Sequence, residues 1–256
     1  MRGLNGRRIL VVAGAGTIGT RVCVRLAEEG AHVAVADLDL AAAEGVVATI
    51  SAGGGRAVAL PVDVTDEASV ADAVASTRTV LGGLDAAHVN VADLSEAVRT
   101  NDTDAVGIDL AVFDRVIAVN LRGHLVCTKH LVPALIAGGG GPIVYTSSAG
   151  AYLASPGMVA YAMAKSGLNA LVRHVAAAYG KQGIRANAVA PGLVLDDANG
   201  RPRDPAVLDH LLARTLSDRL GRPDDIPGMV ALLCSDDGAW INGQVISVDG
   251  GITHRP

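Results

Sequence analysis

Aromatic side chains are scarce in this sequence: they make up 2% of its 256 residues, with a single Trp and a single Phe. Half of the residues are hydrophobic, so the core has to be built from Ala, Val, Leu and Ile rather than from rings. The length allows one large α/β domain or two small ones, and it is sufficient to bury a substantial core.

Cysteines are few, odd in number and far apart. Cys23, Cys127 and Cys234 form no Cys-x-x-Cys pair. This pattern argues against a disulfide framework, and we predict no metal site. We expect the three thiols to be small core residues in a reducing, cytoplasmic compartment.

Long apolar runs and stretches of basic residues are also missing. The formal charge, 21 − 26 = −5, is scattered along the chain, which argues against a nucleic-acid or membrane partner. Arg7-Arg8 and the apolar residues 9–12 could be mistaken for a signal peptide. We reject that interpretation because a glycine loop stops the run and further arginines follow.

What the sequence does contain is a regular alternation of strands and helices. Short apolar runs predict strands at 9–13, 32–36, 57–62, 84–89, 142–146, 184–190 and 244–248. Helices are expected from the glycine loop to about residue 30, and at 39–50, 66–81, 109–137, 158–180, 205–216 and 225–234. Thr65 is the expected cap of the helix 66–81, and a polar loop is expected between the strand 84–89 and the helix 109–137. This order predicts an α/β fold, a doubly wound parallel sheet of Rossmann type with helices on both faces, in a single domain over 1–256.

Three glycines mark the first strand-to-helix turn. Gly14, Gly16 and Gly19 have the spacing of a dinucleotide fingerprint. In that motif the first glycine allows the tight turn, the second lets the pyrophosphate approach, and the third packs the helix on the strand. The alternative is a plain glycine turn.

Acidic residues end the second and third predicted strands. Asp37, eighteen residues after Gly19, could accept hydrogen bonds from both adenosine ribose hydroxyls; the alternative is a helix cap, a role that Asp39 can fill. Asp63 could meet the adenine amino group, and the alternative there is an ordinary turn residue.

A hydroxyl, a phenol and an ammonium come together after the fifth strand. Ser148 follows that strand, while Tyr161 and Lys165 are four residues apart and so share one face of the next helix. This arrangement suits the transfer of one proton. The alternative is a surface Tyr and a solvated Lys that share a helical face by chance.

With these residues in place, the chain from about residue 8 to 251 resembles the short-chain dehydrogenase/reductase family. The resemblance includes Asn120 in Val-Asn-Leu, Ser148 thirteen residues before Tyr161, the run 187–192 (Asn-Ala-Val-Ala-Pro-Gly) and the closing run 248–251 (Val-Asp-Gly-Gly). Three features depart from the family pattern. The glycine turn is one residue shorter, the usual Asn-Asn-Ala-Gly reads Val-Asn-Val-Ala at 89–92, and Asp196 replaces a frequent threonine.

The resemblance implies NAD-dependent hydride transfer between a secondary alcohol and a ketone. It implies Tyr161 as general acid/base, with a pKa lowered by cations, and Lys165 as the group that assists it and binds the nicotinamide ribose. Ser148 would hold the substrate oxygen. Asn120 would hold a water that links Lys165 to solvent, or else be an ordinary buried Asn. The implied cofactor-binding residues are Gly14, Gly16, Thr17, Ile18, Gly19, Asp37, Leu38, Asp63, Val64, Asn90, Tyr161, Lys165, Pro191, Gly192 and Val194.

Two other functions stay open. A reductase of acyl-carrier-linked 3-oxo esters would share these residues but need a basic docking patch, and a sensor would bind NAD without turnover. We expect a lid over the substrate around 193–216. We also expect a homotetramer or homodimer, because the helices 109–137 and 158–180 are unusually apolar for surface elements. The apolar residues behind that expectation are Val116, Leu121, Val126, Leu131, Leu168, Leu171 and Val175.

Overall fold

The computed structural model describes residues 1–195 and 204–254. Within them a single seven-stranded sheet runs through the molecule, with every strand pair parallel and the order β3-β2-β1-β4-β5-β6-β7. The strands are β1 (Arg8–Val12), β2 (His32–Asp37), β3 (Arg56–Pro61), β4 (Ala86–Val89), β5 (Gly141–Thr146), β6 (Ile184–Pro191) and β7 (Val245–Val248). The predicted α/β fold with a doubly wound parallel sheet is confirmed.

Nine α-helices of the described residues flank this sheet. They are α1 (Thr17–Glu28), α2 (Leu40–Ala52), α3 (Glu67–Leu81), α4 (Glu96–Asn101), α5 (Leu110–Ile117), α6 (Gly123–Ala137), α7 (Val159–Tyr179), α8 (Pro205–Arg214) and α9 (Pro227–Cys234). None of them is long and apolar enough to cross a membrane.

Each central strand contributes side chains to two cores, one on each face of the sheet. In β1, Leu10 and Val12 belong to one cluster with residues of α3, α6 and α7, while Ile9 and Val11 belong to the other with residues of α1, α2 and α9. Successive side chains of a strand point to opposite faces. Burial on both faces therefore requires the continuous Val, Ala and Ile runs that the sequence shows.

The strand order places the point where the connections reverse between β1 and β4. Because all strands are parallel, their carboxyl ends lie along one edge of the sheet. The turn after β1, Asp37 at the end of β2, Asn90 after β4 and Ser148 just after β5 all follow these ends. In open α/β sheets, ligands bind along this edge at the reversal point.

Several predicted boundaries are wrong. The loop after β4 contains α4, whose start is capped by Ser95. The predicted helix 109–137 is continuous but contains a π-helical turn at Ala118–Arg122. The cap of α3 is Asp66, which accepts from the Ala68 N–H, and not Thr65. The helices predicted to end at 216 and to begin at 225 end at Arg214 and begin at Pro227.

The apolar residues offered as evidence for an oligomer mostly belong to the core of one chain. Val116, Val126, Leu131, Leu168 and Val175 are buried in the isolated chain, so they cannot face a partner. The three cysteines are free and buried, as expected for small core residues. The predicted lid at 193–216 lies only partly within the described residues, and Asp196 lies outside them.

Candidate active site

The glycine turn after β1 is packed tightly against the protein at two glycines and open at the third. A Cβ added to Gly19 would collide with the Ala13 carbonyl oxygen and lie 2.9 Å from Gly14 Cα. A Cβ on Gly14 would lie 2.9 Å from Val35. At Gly16 the nearest atom would be 3.9 Å away, so no protein contact requires glycine there. This is the position where the fingerprint leaves space for a pyrophosphate.

Asp37 is held directly beside that turn. Its Oδ2 accepts from the Ala15 N–H at 2.9 Å, and its Oδ1 accepts from the Asp39 N–H at 3.1 Å. The cap of α2 is Asp39, whose carboxylate accepts from the Ala42 N–H at 3.0 Å. Asp37 is thus not the helix cap. An ionised carboxylate offers about four lone-pair sites, so two backbone bonds leave capacity for further donors.

The end of β3 is engaged mainly with its own turn. Asp63 Oδ1 accepts from the Thr65 N–H at 2.8 Å and from the Thr65 hydroxyl at 2.7 Å, and these bonds hold the pKa of Asp63 below its usual value. The Val64 side chain packs toward Gly123 in α6. Leu38, by contrast, is 74% exposed beside Asp37. Asp63 therefore acts as a turn residue through Oδ1.

Asn90 joins the ends of three strands. Its Nδ2 donates to the Ala13 carbonyl at 3.2 Å, and its Oδ1 accepts from the Thr146 hydroxyl at 2.8 Å. The Thr146 hydroxyl also lies 2.9 Å from His88 Nε2. Asn90 therefore connects Ala13, at the start of the glycine turn, to Thr146 at the end of β5.

The end of β6 closes this edge of the sheet. Pro191 is the last residue of β6, and a Cβ added to Gly192 would lie 2.9 Å from Asp249 Cα. Val194 forms an isolated bridge with Gly221. Thr17 opens α1, and Ile18 packs against the core cluster that contains β1 residues Ile9 and Val11. These residues all follow the carboxyl ends of their strands.

Ser148 and Tyr161 face each other across the start of α7. Both side chains lie beside Gly150, since a Cβ added there would be 3.3 Å from Ser148 Oγ and 3.5 Å from Tyr161 Cε1, and the Ser148 hydroxyl accepts from the Gly150 N–H at 3.0 Å. Burial raises the pKa of Tyr161, while the Ser148 hydroxyl acts in the opposite direction. The lowering expected for this pKa is not found, because desolvation of the phenol outweighs the contribution of Ser148.

Lys165 lies one turn further along α7 and is completely buried. Its Nζ donates to the carbonyls of Thr146 at 2.9 Å and Val91 at 3.0 Å, and it lies 5.7 Å from the centroid of the Tyr161 ring. Burial lowers the pKa of Lys165 to about 7. The interpretation of a solvated surface lysine is wrong.

Asn120 is buried in the π-helical turn and binds the backbone of one residue. Its Oδ1 accepts from the Asp93 N–H at 2.7 Å, and its Nδ2 donates to the Asp93 carbonyl at 3.4 Å. Both ends of the side-chain amide thus have partners in the protein. This geometry favours the interpretation of Asn120 as an ordinary buried Asn over the water-holding role. Arg115 reinforces the contact by donating to the Asp93 carboxylate at 2.9 Å.

Sequence reasoning missed two residues that support this site. Thr146 binds Lys165 through its carbonyl and Asn90 through its hydroxyl. Asp102, in the segment expected to be a loop, binds the start of α7. A strand-terminal Thr is a readable signal for the first. Nothing local to Asp102 indicates a partner 58 residues away.

Comparison with known proteins agrees with this geometry. A family model described as enoyl-(acyl carrier protein) reductase matches residues 12–253. The chain is 39% identical over 251 residues to a probable short-chain type dehydrogenase/reductase of Bradyrhizobium diazoefficiens, covering 97% of this chain and 89% of that protein. The chain belongs to the short-chain dehydrogenase/reductase family.

Relatives in this short-chain dehydrogenase/reductase family include enzymes named for alcohol oxidation. A 2-(S)-hydroxypropyl-CoM dehydrogenase of Xanthobacter autotrophicus is 34% identical, with 98% of each chain covered. The crystal structure of a 7α-hydroxysteroid dehydrogenase complexed with NADH and 7-oxo glycochenodeoxycholic acid has a TM-score of 0.88 and 29% identity. The similarity covers 98% of this chain and 97% of that one. The chain is therefore similar to oxidoreductases of small molecules.

Proposed function

We propose that this chain catalyses reversible hydride transfer between a secondary alcohol or ketone and NAD, with Tyr161 as general acid/base. The observation that carries the proposal is the convergence of three side chains: the Ser148 hydroxyl and the Tyr161 ring, which lie together beside Gly150, and the buried Lys165, whose Nζ is 5.7 Å from the Tyr161 ring centroid. Binding a dinucleotide alone does not call for this arrangement.

The residues present fit a nicotinamide dinucleotide. The open space over Gly16 and the close packing at Gly14 and Gly19 suit the pyrophosphate turn. Asp37 would bind the adenosine ribose, with the exposed Leu38 beside it, and Lys165 would bind the nicotinamide ribose. When bound, the dinucleotide supplies the hydride donor or acceptor.

The protein's own part is to move a proton at the substrate oxygen. Because burial keeps the pKa of Tyr161 high, the phenol is protonated at neutral pH and can donate to a ketone oxygen that gains charge. Ser148 donates to the same oxygen and stabilises that charge. In alcohol oxidation the phenolate is the base, so the rate of oxidation should rise with pH. Lys165, whose pKa is about 7, favours that phenolate while it carries its proton.

Asp37 supports NAD rather than NADP as the cofactor. Its carboxylate is fixed by two backbone N–H groups beside the glycine turn. A 2′-phosphate would remove one ribose hydroxyl donor and set a dianion against this carboxylate. Neither Ala15 nor Leu38 supplies a cation to offset the repulsion, and Arg21 is engaged with Asp224 at 3.4 Å.

The alternative is a substrate linked to an acyl carrier. The matching family model is described as enoyl-(acyl carrier protein) reductase, so the experiment includes such substrates. Two of the basic residues that could dock such a carrier are already engaged. Lys129 pairs with Glu67 at 2.5 Å, and Arg122 donates to the Thr65 carbonyl at 3.0 Å. These contacts favour a free small-molecule substrate.

We also propose an oligomer, now on the evidence of two exposed apolar side chains. Leu125 on α6 and Met163 on α7 are each 53% exposed, and such side chains on adjacent helices suit contact with a second copy. Light scattering at micromolar concentration measures the assembly, and a monomer there contradicts this part.

The proposed reaction is tested by a panel of secondary alcohols and ketones, with free and acyl-carrier-linked substrates, in the presence of NAD or NADP. We expect nicotinamide reduction with at least one free alcohol and NAD. Turnover confined to acyl-carrier substrates would favour the alternative. Tight NAD binding with no turnover across the panel would indicate a sensor.

A further inference from the structure

The first turn of α7 carries Tyr161, and it has no cap of its own. Met158 precedes the helix in a left-handed conformation, φ 61°, and its side chain makes no capping bond. The first N–H groups of a helix have no partner within the helix. Tyr161 is the third residue of α7, so the general acid/base lies where a helix frays most easily.

Asp102 and Thr103 supply every bond that this turn lacks. The Asp102 carboxylate accepts from the Ala160 N–H through Oδ1 and from the Tyr161 N–H through Oδ2, both at 2.9 Å. The Asp102 carbonyl accepts from the Met158 N–H at 2.8 Å, and the Thr103 carbonyl accepts from the Val159 N–H at 3.3 Å. The next residue, Ala162, already donates within the helix, to Met158.

Asp102 is buried, with 2% exposure, and among the described residues no cation pairs with it. A buried carboxylate without a counter-ion is costly unless its oxygens are hydrogen-bonded. Here both oxygens accept from backbone N–H groups, and the positive end of the α7 dipole offsets the charge. This geometry suits a carboxylate better than the neutral amide of an Asn side chain, which has only one oxygen to accept a hydrogen bond.

The segment that carries Asp102 is fixed at a second point of the active site. This connecting segment, residues 93–109, begins at Asp93, whose backbone is bound by Asn120 at 2.7 Å. Its α4 ends at Asn101, and the next residue, Asp102, donates its N–H to the Val98 carbonyl at 2.8 Å. Val98 is packed in a small cluster with Ala160, and Tyr161 lies against that cluster. The segment thus links Asn120 to Tyr161.

We propose that Asp102 is a positioning residue for Tyr161: its carboxylate, bound to the N–H groups of Ala160 and Tyr161, fixes the phenol opposite Ser148. The inference rests on the proposed role of Tyr161 in the reaction. It assigns to the 93–109 segment a function in catalysis although none of its side chains is proposed to touch the substrate.

The test compares Asp102→Asn with Asp109→Asn. Asp109 caps α5 through a bond of 2.8 Å to the Ala111 N–H, and Asn caps helices about as well as Asp. The change at Asp109 should therefore be nearly silent, because Asn keeps the one oxygen that accepts there. At Asp102, however, an amide turns one of its two ends into a donor that faces a backbone N–H.

We expect Asp102→Asn to lower kcat at least about tenfold, since misplacing a reacting group by about 1 Å can cost a hundredfold. The affinity for NAD should stay within about threefold of that of the unmutated enzyme, since Asp102 contacts no residue of the glycine turn. Backbone hydrogen exchange of a peptide covering 158–163 should accelerate in Asp102→Asn and not in Asp109→Asn.

The proposal would be overturned by unchanged exchange at 158–163, by unchanged kcat despite faster exchange, or by equal losses in the two variants. Faster exchange throughout the chain would also overturn it, because it would show general destabilisation. If the unmutated enzyme turns over nothing, the proposed reaction fails. The exchange comparison then still decides whether Asp102 holds the first turn of α7.

Discussion

Replacing Asp37 should change which cofactor the enzyme prefers. The carboxylate is oriented by the N–H groups of Ala15 and Asp39, and each charge-assisted hydrogen bond to a ribose hydroxyl is worth roughly 1.5–3 kcal/mol. NADP forfeits one of those bonds and adds phosphate repulsion. We therefore expect NAD to be preferred at least about a hundredfold in kcat/KM, close to 2.7 kcal/mol.

Asp37→Ala should narrow this gap mainly by lowering kcat/KM with NAD. The same change also leaves the Ala15 and Asp39 N–H groups without their partner, so part of the loss will be structural. Asp39→Ala is the matched control: it removes the α2 cap, two residues away, and should leave the cofactor ratio unchanged. Leu38→Arg should raise kcat/KM with NADP, and because Leu38 is 74% exposed it sacrifices no core packing.

The assay is steady-state kinetics with one alcohol and both cofactors for all four proteins. Equal kcat/KM with NAD and NADP in the unmutated enzyme would refute the role of Asp37. A change of ratio in Asp39→Ala as large as that in Asp37→Ala would also refute it, since the effect would then come from the α2 start.

Two further predictions concern the glycine turn and acid stability. Gly19→Ala should lower the free energy of unfolding by about 1–3 kcal/mol, because its Cβ collides with backbone. Gly16→Ala should leave thermal unfolding unchanged and weaken the affinity for NAD in a binding titration. The reverse pattern would contradict the assigned pyrophosphate position. Burial lowers the pKa of His88 to about 3, against about 6.5 in an unfolded chain. Between those values the unfolded chain binds a proton that the folded one does not. The free energy of unfolding should therefore decrease as the pH is lowered, and at pH 5 this group should account for a loss of about 2 kcal/mol relative to pH 8. His88→Val should reduce the difference between denaturant unfolding at pH 8 and pH 5, and an equally steep loss in this variant would show that His88 is not its source.

The sheet was predictable because its strands are buried on both faces. Residues 9–12 and 33–36 are apolar without interruption, a pattern typical of a parallel sheet covered on both faces. The glycine turn, Asp37 and Ser148 were predictable for a related reason: a residue that follows a strand end lies at the ligand edge by topology alone. Tyr161 and Lys165 needed only the helical period.

Contacts between distant parts of the chain were not predictable from local patterns. Asp102 lies in a polar stretch, and its partners Ala160 and Tyr161 are 58 and 59 residues away. Ser95 was a readable cap for α4, but six residues of helix give little periodicity. The apolar residues of α6 and α7 indicated burial correctly, yet nothing in a single sequence distinguishes burial in the core from burial against a partner.

Tyr161→Phe tests whether Tyr161 transfers the proton. Tyr179→Phe, the same change at the far end of α7, is the matched control. We expect Tyr161→Phe to lose turnover while NAD affinity stays within a few-fold, because the ring keeps its packing and Lys165 is untouched. Tyr179→Phe should match the unmutated enzyme. If Tyr161→Phe keeps more than about a tenth of the rate, a loss below about 1.4 kcal/mol, Tyr161 is not the general acid/base.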